Sequence, residues 1–496
     1  MNLASIIEPH PADAVAVISR GRPCTYGQLR DQVGALRGAL VQLGVGRGDR
    51  VALVCENVRY FVDVYLATLG IGAVAVPLNP TNPAAALTRE IATVGAKVVF
   101  VGPSARTTWA AVDRTHVPTV ELVIGTDGQA VGDALVFEQL LATPAVPIVD
   151  VVDTDLAALM FTSGTVGAPV AAQLTHGNLL ANLHQSQHGL DPIVATDVIY
   201  GVLPLHHIFG LNVVLDIALL VGACVVLVQR FDPSTALETI AERKCTIVVG
   251  APPMWVAWSH FAQADRAAFA TVRMALSGAA KLPEAAAREF ADAFGLQIRE
   301  GYGLTEASPV VTASAGIEPR LGSIGQVLPG IEVRLVDPMG DDVIDGDAGE
   351  IWVRGPNVFG GYWNDPTGTA KALTADGWLR TGDIAVMDDD GYLFIVDRAK
   401  DLIIVSGFNV YPAEVEDALL EHPGVAEAAV VGVAHPHTGE AVKAYVVAEL
   451  GTELYEEELI EFCLDRLARY KCPTKVLVVP ELPKGLGGKL LRRVLR

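Results

Sequence analysis

The chain has 496 residues, of which 51% are hydrophobic and 19% charged, so it can bury a large core and is not a disordered protein. Its 36 basic and 57 acidic side chains give a formal net charge of −21, which excludes a general attraction to nucleic acid or to an anionic membrane. The length predicts about three domain-sized units, unless one of them is a large α/β domain.

The cysteine pattern and the apolar segments predict a compartment. None of the six cysteines forms a C-x-x-C pair, which argues against a zinc cluster or a disulfide framework and fits a reducing environment. The N-terminal residues lack a basic region and include Glu8, so no secretory signal is predicted. The most apolar stretch, residues 212–228, is interrupted by Asp216, and we predict buried core there rather than a membrane span. These features predict a cytoplasmic protein.

Helical and strand-like patterns alternate through the first half of the chain. Apolar residues at helical spacing predict helices at residues 26–43, 60–71, 88–94, 233–243 and 283–294. Continuous apolar runs predict buried strands at residues 50–57, 73–80, 96–102, 217–228, 245–250 and 296–300. Because apolar strands separated by helices are typical of parallel sheets covered on both faces, we predict an α/β fold.

A different pattern begins after about residue 320. Short alternating strands at 332–337, 349–355 and 391–397 predict an antiparallel, barrel-like β region. From Asn409 onward the pattern is α+β, with the elements predicted as helices at 412–421 and 455–469 and strands at 425–433 and 441–449. The best boundary between these two regions lies near residues 395–401.

The strongest local signal is an apolar run that ends in hydroxyl and glycine residues, TSGTVGAP at 162–169. Small residues let backbone N–H groups approach an anion closely, and hydroxyls add further donors. Thr175 is the predicted N-cap of a helix that follows. The loop does not follow the G-x-x-x-x-G-K-[ST] pattern, so by itself it is also compatible with an ordinary surface turn.

Seven further segments follow this loop in order: PLHHIFG (204–210), SGAAKLP (277–283), GYGLTEASP (301–309), GEIWVRGPNVFGGYWN (349–364), GWLRTGDIAVMD (377–388), DRAKDLIIVSGFNVYPAEVE (397–416) and LPKGLGGKLLRR (482–493). Together they resemble the motifs of the acyl-adenylate-forming (AMP-binding) enzymes, which include acyl-CoA synthetases, aryl-CoA ligases, luciferases and peptide-synthetase adenylation domains. The resemblance covers nearly the whole chain and is closest to the fatty-acid–CoA ligase branch.

The resemblance implies a reaction in two halves, in which acid and ATP give acyl-AMP and a thiol then displaces AMP. It also implies a large N-terminal domain at residues 1–399 and a small, mobile C-terminal domain at 400–496, with a hinge near Lys400 that rotates the small domain between the half-reactions. Phosphoryl transfer needs little covalent help from a protein, so positioning and charge neutralisation dominate.

The resemblance also assigns a nucleotide site. Tyr302 contacts adenine, Thr305 contacts phosphate, and Glu306 binds Mg²⁺, which prefers hard oxygen ligands. Asp383 accepts from the ribose hydroxyls, because a carboxylate is an acceptor only. The alternatives are purely structural roles, in which Glu306 is a charge at the N-terminus of a helix and Asp383 is a turn aspartate before a strand. The implied ATP- and AMP-binding residues are Thr162, Ser163, Gly164, Thr165, Gly167, Gly278, Ala279, Ala280, Gly301, Tyr302, Gly303, Thr305, Asp383, Arg398 and Lys489.

The implied catalytic residues are Lys489, His207 and Thr305. Lys489 matches a C-terminal lysine whose flexible ammonium group offsets the negative charge that builds between carboxylate and α-phosphate. His207 matches a histidine at the carboxylate end of the acyl tunnel, although an isolated histidine is more often structural. After the domain rotation, the loop around Gly407 lines a channel for the thiol, with Lys400 at the hinge.

The acyl site implied by the resemblance consists of His207, Phe209, Trp255, Gly278 and Val310. Residues 204–210 contain no acid that could hold an α-ammonium group, which disfavours an amino acid and favours an apolar, fatty acid. Coenzyme A is the preferred acceptor, because residues 306–349 show no obvious insertion of the kind found in ligases that load a carrier protein. An acyl carrier protein with its phosphopantetheine thiol is the alternative partner.

The phosphate loop departs from the family pattern after its proline. Val170 stands where a lysine is usual and Ala171 where a glycine is usual. The loss of one charge-assisted phosphate contact removes about 1.5–3 kcal/mol, which is about one to two powers of ten in affinity or rate. We expect a working but altered enzyme. The alternative that Val170 supports is a non-catalytic protein that binds a nucleotide or an acyl group.

Overall fold

The computed structural model describes residues 1–128, 134–162, 170–188, 191–261, 266–344, 346–398, 401–405, 408–435, 439–484 and 490–495. The chain divides into two compact units. The first comprises Met1–Glu332 and Val353–Leu379, and the second comprises Val333–Trp352 and Arg380–Arg496. Lys400, the predicted hinge, lies outside the described residues, and the predicted division of the domains at 399/400 stays a prediction.

The helices of the described chain are α1 (Tyr26–Gln42), α2 (Arg59–Gly70), α3 (Ala84–Val94), α4 (Arg106–Ala110), α5 (Phe137–Leu140), α6 (His176–Gln187), α7 (Ile208–Gly210), α8 (Ile217–Val221), α9 (Pro233–Glu242), α10 (Pro252–Ser259), α11 (Glu284–Phe294), α12 (Pro366–Ala372), α13 (Pro412–Leu420) and α14 (Glu456–Leu464). A π-helical segment, Leu211–Asp216, joins α7 to α8. Short 3₁₀ helices lie at Leu3–Ile7, Pro103–Ala105, Arg114–His116, Arg266–Phe269, Thr305–Ala307 and Arg492–Val494.

The strands are β1 (Val15–Ser19), β2 (Arg22–Thr25), β3 (Arg50–Val54), β4 (Val74–Pro77), β5 (Val98–Val101), β6 (Leu122–Gly125), β7 (Leu135–Val136), β8 (Leu156–Thr162), β9 (Val170–Thr175), β10 (Val198–Gly201), β11 (Cys224–Leu227), β12 (Ile247–Gly250), β13 (Met274–Ser277), β14 (Ile298–Gly303), β15 (Val310–Ala313), β16 (Gln326–Val327), β17 (Glu332–Val336), β18 (Gly349–Arg354), β19 (Leu379–Met387), β20 (Leu393–Arg398), β21 (Ile403–Val405), β22 (Phe408–Val410), β23 (Val425–His435), β24 (Gly439–Ala448) and β25 (Lys475–Val478).

Two large sheets form the core of the first unit. The nine-stranded sheet has the order β16-β15-β14-β13-β12-β10-β11-β1-β2 and is parallel from β14 to β1. The seven-stranded sheet has the order β7-β6-β5-β3-β4-β8-β9 and is parallel except for β9. Strands that are apolar throughout, joined by helices, give this arrangement. The predicted α/β fold with mostly parallel sheets is therefore confirmed.

Helix α2 lies between the two sheets, because it contacts β1 of one sheet and β3 and β4 of the other. From Phe61 to Gly70 every residue of this helix is buried. Its Tyr65 hydroxyl donates to Asp216 Oδ2 at 2.9 Å, and both side chains are buried. Burial raises the pKa of Asp216 to about 8, so this carboxyl group holds a proton at neutral pH.

Most predicted elements lie where the patterns placed them, but the strand at residues 217–228 is wrong in its first half. Ile217–Val221 is helix α8, and the strand begins only at Cys224. Gly222, with a φ of +84°, ends the helix in the left-handed region that favours glycine. A short, uniformly apolar run has no periodicity that separates a buried helix from a buried strand.

Antiparallel pairing predominates in the sheets of the second unit, although β25 pairs with β24 in parallel. Most of a four-stranded sheet with the order β17-β18-β19-β20 belongs to it, and a further sheet has the order β22-β21-β24-β23 with β25 beside β24. The long β23–β24 hairpin packs with α13 and α14 around an apolar core that includes Val430, Val442 and Leu459. The predicted β region and α+β region are both present, and α14 ends at Leu464, earlier than the predicted 469.

The predicted core segment at 212–228 is mostly buried. Within the part of the chain that the structure describes, no helix has both the length and the apolar character needed to cross a membrane. All six cysteines are buried and free, and burial raises the pKa of the Cys24 thiol to about 11.

Candidate active site

Four neighbouring parallel strands, β10, β12, β13 and β14, end at the same edge of the nine-stranded sheet. In open sheets of this kind, ligands bind outside the carboxyl ends of the strands. Three of the sequence motifs start at this edge: PLHHIFG follows β10, SGAAKLP begins in β13 and GYGLTEASP begins in β14. The fold therefore brings together motifs that are separated by up to 100 residues in the sequence.

Two aromatic rings pack on glycines at this edge. A Cβ atom at Gly278 would lie 2.9 Å from Phe209 Cζ, and one at Gly250 would lie 3.1 Å from Trp255 Cε2. The two glycines are joined by a 3.3 Å hydrogen bond from Gly278 N to Gly250 O. Three predicted acyl-binding residues, Phe209, Trp255 and Gly278, are thus neighbours, and a larger residue at either glycine would press on one of the rings.

Trp255 also belongs to an aromatic cluster beneath the edge. Its ring centroid lies 5.4 Å from that of Trp258 and 5.2 Å from that of Phe290, and Phe269 continues the cluster. Trp255 is fully buried, and its Nε1 has no hydrogen-bond partner among the described residues. A packing role for this side chain is therefore evident, beside the predicted acyl contact.

His207 is exposed and caps the single turn α7. Its Nδ1 accepts a hydrogen bond of 3.2 Å from Phe209 N, which leaves Nε2 as the ring nitrogen that carries the proton when the ring is neutral. The adjacent His206 is half-buried, and burial, followed by the neighbouring His207, lowers the pKa of His206 to about 4. Of the two histidines, the exposed one is the residue that the sequence assigned to the site.

The GYGLTE segment turns sharply from β14 into the following loop. Tyr302 pairs with Thr312 and Gly303 with Val310 across β14 and β15, and the register shifts between Tyr302 and Gly303. A Cβ atom at Gly303 would lie 2.1 Å from the backbone oxygen of Pro309, so only glycine fits there. The turn leads directly into the 3₁₀ helix Thr305–Ala307, and Tyr302, Thr305 and Glu306 are all half-buried.

Two buried asparagines hold the loop that follows Glu306. Asn357 Nδ2 donates to Ala307 O at 2.8 Å, and Asn212 Nδ2 donates to Ser308 O at 2.6 Å. Both side chains are at most 1% exposed. Asn212 lies in the π-helical segment after PLHHIFG, so this bond also ties that motif to the loop.

A third asparagine completes this support. Asn182 Nδ2 donates to Val310 O at 2.7 Å, and Val310 N donates back to Asn182 Oδ1 at 3.1 Å. We call Asn182, Asn212 and Asn357 the asparagine clamp. No motif assigned a role to these residues, because they are 50 to 128 residues from the backbone groups that they hold.

Glu306 is held from the other side by an aromatic residue. Tyr362 Oη donates to Glu306 Oε1 at 2.7 Å, and Phe359 N donates to Glu306 O at 2.8 Å. Burial, together with the charge of Glu306, raises the pKa of Tyr362, so the hydroxyl stays a donor throughout the physiological range. Tyr362 lies in the GGYWN segment, which the sequence matched to the family without assigning a role.

Thr305 and Glu306 suit a magnesium ion. A hydroxyl and a carboxylate are hard oxygen donors, and Mg²⁺ in nucleotide sites is held by one or two carboxylates plus phosphates and water. No group of three or more His, Cys, Asp or Glu within the described ranges could hold a metal by itself. Thr305 and Glu306 offer two of the oxygen ligands that such an ion takes.

The phosphate segment enters and leaves through the paired strands β8 and β9. Thr162, at the end of β8, pairs with Val170, at the start of β9. Thr175 caps α6 as predicted, since its side chain accepts from Asn178 N at 3.0 Å. Ser163, Gly164, Thr165 and Gly167 lie outside the described residues, so their predicted phosphate contacts stay predictions.

In the second unit, Asp383 lies on β19 opposite Arg398 on β20. Asp383 is 5% exposed, and its backbone N–H donates to Thr381 Oγ1 at 3.1 Å. The preceding Gly382 has a φ of +71° and donates from its N–H to Glu350 Oε1 at 2.9 Å. The left-handed backbone of Gly382 and these hydrogen bonds fix the TGD motif within the strand, while Lys400, Gly407 and Lys489 fall outside the described residues.

Comparisons with known proteins match most of the chain to two family models and nearly all of it to enzymes named as CoA ligases or CoA synthases. The model of the AMP-binding enzyme family matches residues 4–363, and that of the AMP-binding enzyme C-terminal domain matches 414–489. A long-chain-fatty-acid–CoA ligase of Yersinia pestis is 36% identical over 98% of this chain and 92% of its own length. A feruloyl-CoA synthase of an Amycolatopsis species is 37% identical over 99% of this chain and 96% of its own length.

Solved structures with a similar fold also cover the chain from end to end. The crystal structure of ATP-bound MatB from Rhodopseudomonas palustris superposes with a TM-score of 0.91 at 33% identity, and covers 100% of this chain and 98% of its own. A Mycobacterium tuberculosis fatty acyl CoA synthetase superposes with a TM-score of 0.79 at 29% identity, over 100% of this chain and 97% of its own.

Proposed function

The chain belongs to the AMP-binding enzyme family, and from that premise we propose that it activates an apolar carboxylic acid with ATP and transfers the acyl group to coenzyme A. The prediction of an AMP-forming acid–thiol ligase is confirmed by the family model and by the coenzyme A ligases among its relatives. ATP and coenzyme A follow as its co-substrates.

The observation that carries the proposal is the meeting of two kinds of residue at one edge of the nine-stranded sheet. Tyr302, Thr305 and Glu306 supply a flat ring and hard oxygens, which suit a nucleotide with its phosphates. Phe209 and Trp255 supply apolar rings packed on glycine, which suit an acyl group. An enzyme that joins an apolar acid to a nucleotide needs both.

In the first half-reaction, an oxygen of the substrate carboxylate attacks the α-phosphorus of ATP. The bond from that phosphorus to the bridging oxygen breaks, and pyrophosphate leaves with the electron pair. We assign Tyr302 to adenine, Thr305 to a phosphate, and Asp383 and Arg398 to the ribose and phosphate. Lys489 offsets the charge that accumulates between the two reactants. Mg²⁺ at Glu306 supplies neutralisation of the phosphate charge when bound.

In the second half-reaction, a thiolate attacks the carbonyl carbon of acyl-AMP. The thiol has given its proton to solvent to form this thiolate, and as the new carbon–sulfur bond forms, the bond from that carbon to the phosphate oxygen breaks and AMP leaves. Rotation of the C-terminal domain at Lys400 brings the loop around Gly407 to the site and withdraws Lys489. Two catalytic arrangements are then formed in turn on one chain.

The acyl group that we propose is apolar, with a fatty acid as the first choice. No acidic residue in PLHHIFG could hold an α-ammonium group. The relatives include ligases named for long-chain fatty acids and for ferulic acid, so both aliphatic and aromatic acids belong in the test. His207 lies next to Phe209, where the carboxylate end of such an acid would meet the site.

The test is a panel of aliphatic and aromatic carboxylic acids with ATP and Mg²⁺, scored for AMP release with and without coenzyme A. Thioester formation supports the proposal. Adenylate that accumulates despite coenzyme A favours a carrier-protein thiol as the acceptor, and no AMP release with any acid favours the non-catalytic alternative that Val170 suggests. Omission of Mg²⁺ with EDTA should abolish AMP release.

The variant Lys489→Ala tests the mechanism directly. We expect acyl-AMP synthesis to fall by about 10²–10³, as when one group that stabilises transition-state charge is removed. Thioester formation from added acyl-AMP should be nearly unchanged, because Lys489 acts only in the first half-reaction. Intact adenylate synthesis in this variant would contradict the mechanism. Cytoplasmic localisation, which we also expect, is checked by cell fractionation.

A further inference from the structure

The segment from Phe359 to Trp363 runs between two parts of the nucleotide site. Its backbone pairs with β9, the strand that leaves the phosphate loop: Trp363 N donates to Ala171 O at 2.8 Å, and Gln173 N donates to Gly361 O at 3.0 Å. Tyr362 lies at the centre of this pairing, opposite Ala172. Its backbone position is therefore set by the strand that follows the phosphate loop.

The backbone of Tyr362 is fixed from a second direction as well. Tyr362 N donates to Thr369 Oγ1 at 2.9 Å, and that hydroxyl in turn donates to Asp365 O at 2.7 Å. The preceding Gly361 has a φ of +123°, and a Cβ there would lie 2.6 Å from Thr369 Cγ2, so no side chain fits. The ring of Tyr362 packs edge-on against Phe359, with 4.9 Å between the centroids.

We propose that Tyr362 is a positioning residue, whose hydroxyl orients the Glu306 carboxylate relative to β9, the strand that follows the phosphate loop. The proposal rests on the magnesium role of Glu306 in the proposed function. The 2.7 Å hydrogen bond joins a side chain anchored on β9 to the carboxylate on the other loop. The carboxylate of Glu306 then has one fixed orientation when the phosphates and their metal ion bind. Partners of this kind typically change metal affinity by about 10–100-fold when they are removed.

Tyr362→Phe tests this role, because it removes the hydroxyl and keeps the ring on Phe359. We expect the affinity for Mn²⁺, measured by electron paramagnetic resonance with a non-hydrolysable ATP analogue, to fall about tenfold. The affinity for AMP without metal should stay the same. The matched control is Tyr60→Phe, which removes a 2.7 Å bond from a tyrosine hydroxyl to Glu138 at an exposed site. A change no larger than that of the control overturns the proposal.

A double-variant cycle with Glu306→Gln separates orientation from general damage. If Tyr362 acts through Glu306, the double variant binds Mn²⁺ no more weakly than Glu306→Gln alone, whereas additive losses overturn the proposal. Thermal unfolding of each variant reports whether it folds. If Tyr362→Phe does not fold, Glu306→Gln is the variant to test, because its side-chain amide oxygen still accepts a hydrogen bond from Tyr362. If no acid is activated but Mn²⁺–nucleotide affinity still depends on Tyr362, the proposed function fails and this inference stands.

Discussion

The two ends of the parallel strands in the nine-stranded sheet are built from different chemistry. At the amino ends, Asp197, Thr246 and Arg273 each directly precede a strand and bond to one another. Arg273 Nε donates to Asp197 Oδ1 at 2.9 Å, and Thr246 Oγ1 donates to the same oxygen at 2.7 Å. At the carboxyl ends, glycines and aromatic rings take the place of this network.

The difference separates stability from function. At the amino ends a buried charge has its partners: burial alone raises the pKa of Asp197, but the hydrogen bonds from Arg273, Val194 and Thr246 hold it below its usual range. At the carboxyl ends, Ser277 Oγ and Trp255 Nε1 are buried and lack partners among the described residues. The carboxyl ends therefore keep buried donors for which the described chain supplies no partner, whereas the ion pair at the amino ends is satisfied.

The largest expected effect lies at the amino ends. Asp197→Asn leaves Arg273 without its buried charge partner, and we expect the free energy of unfolding to fall by about 3 kcal/mol. The matched control is Asp191→Asn, which removes the other, one-third-exposed carboxylate of Arg273 and should cost about 1 kcal/mol or less. Denaturant titration measures both. If kcat/KM of the folded Asp197→Asn protein also falls, the separation of the two ends is wrong.

The next effect concerns the carboxyl end of the seven-stranded sheet. Val170→Lys places a cation where β9 leaves the phosphate loop, and we expect kcat/KM for ATP to rise by about 10–100-fold, with the free energy of unfolding nearly unchanged. Pyrophosphate exchange at varied ATP concentration is the measurement. Val170→Met, which matches the length of the stem without the charge, is the control. An unchanged ATP dependence would refute our account of the loop.

Tyr302→Ala should produce the opposite split from Asp197→Asn. Loss of an aromatic face under a base removes about 1–3 kcal/mol of stacking, so we expect KM for ATP to rise about tenfold, while Tm changes little. Tyr302→Phe keeps the ring and should behave like the wild type. A fall in Tm with unchanged KM would mean that Tyr302 stabilises the core and does not contact the nucleotide.

The smallest effect, counted for one pH unit, tests the layer between the sheets. In the folded chain the pKa of Asp216 is about 8 and its ordinary value is 3.8, so between these values the folded state holds a proton that the unfolded state has lost. The free energy of unfolding should therefore fall as pH rises, by up to about 1.4 kcal/mol per pH unit. Asp216→Asn lacks this contribution. Chemical unfolding of both proteins from pH 5 to pH 8 should show diverging curves, and parallel curves would contradict the assignment.

Sequence periodicity predicted most of the fold because each element carries its own pattern. Helix α1 has its apolar spacing and a capping box at Thr25, so its limits of 26–42 are close to the predicted 26–43. The prediction of a strand at Ile217–Val221 was wrong, because a short apolar run has no periodicity that distinguishes a helix from a strand. Strand β19 was missed because it contains the TGD turn with Gly382 in the left-handed region.

The site was predictable only where a motif carried it. The motifs named Tyr302, Thr305 and Glu306, which lie within one turn of chain. They could not name Tyr362, whose hydroxyl meets Glu306 across 56 residues of sequence, or the asparagine clamp. Single side chains that act on distant backbone groups leave no local pattern, so only the folded chain reveals them.

The asparagine clamp supports the loop after Glu306 with hydrogen bonds that depend little on pH or ionic strength. Carboxylates and histidines gain or lose protons as the pH changes, whereas side-chain amide groups stay neutral. Mobile ions screen interactions between charges, and the hydrogen bonds of amide groups involve none. The hydrogen bonds of the clamp thus join uncharged groups, in a chain whose formal net charge is −21. We therefore expect the effects of acidity and ionic strength on turnover to arise at the reactants and the charged side chains rather than at the asparagine clamp.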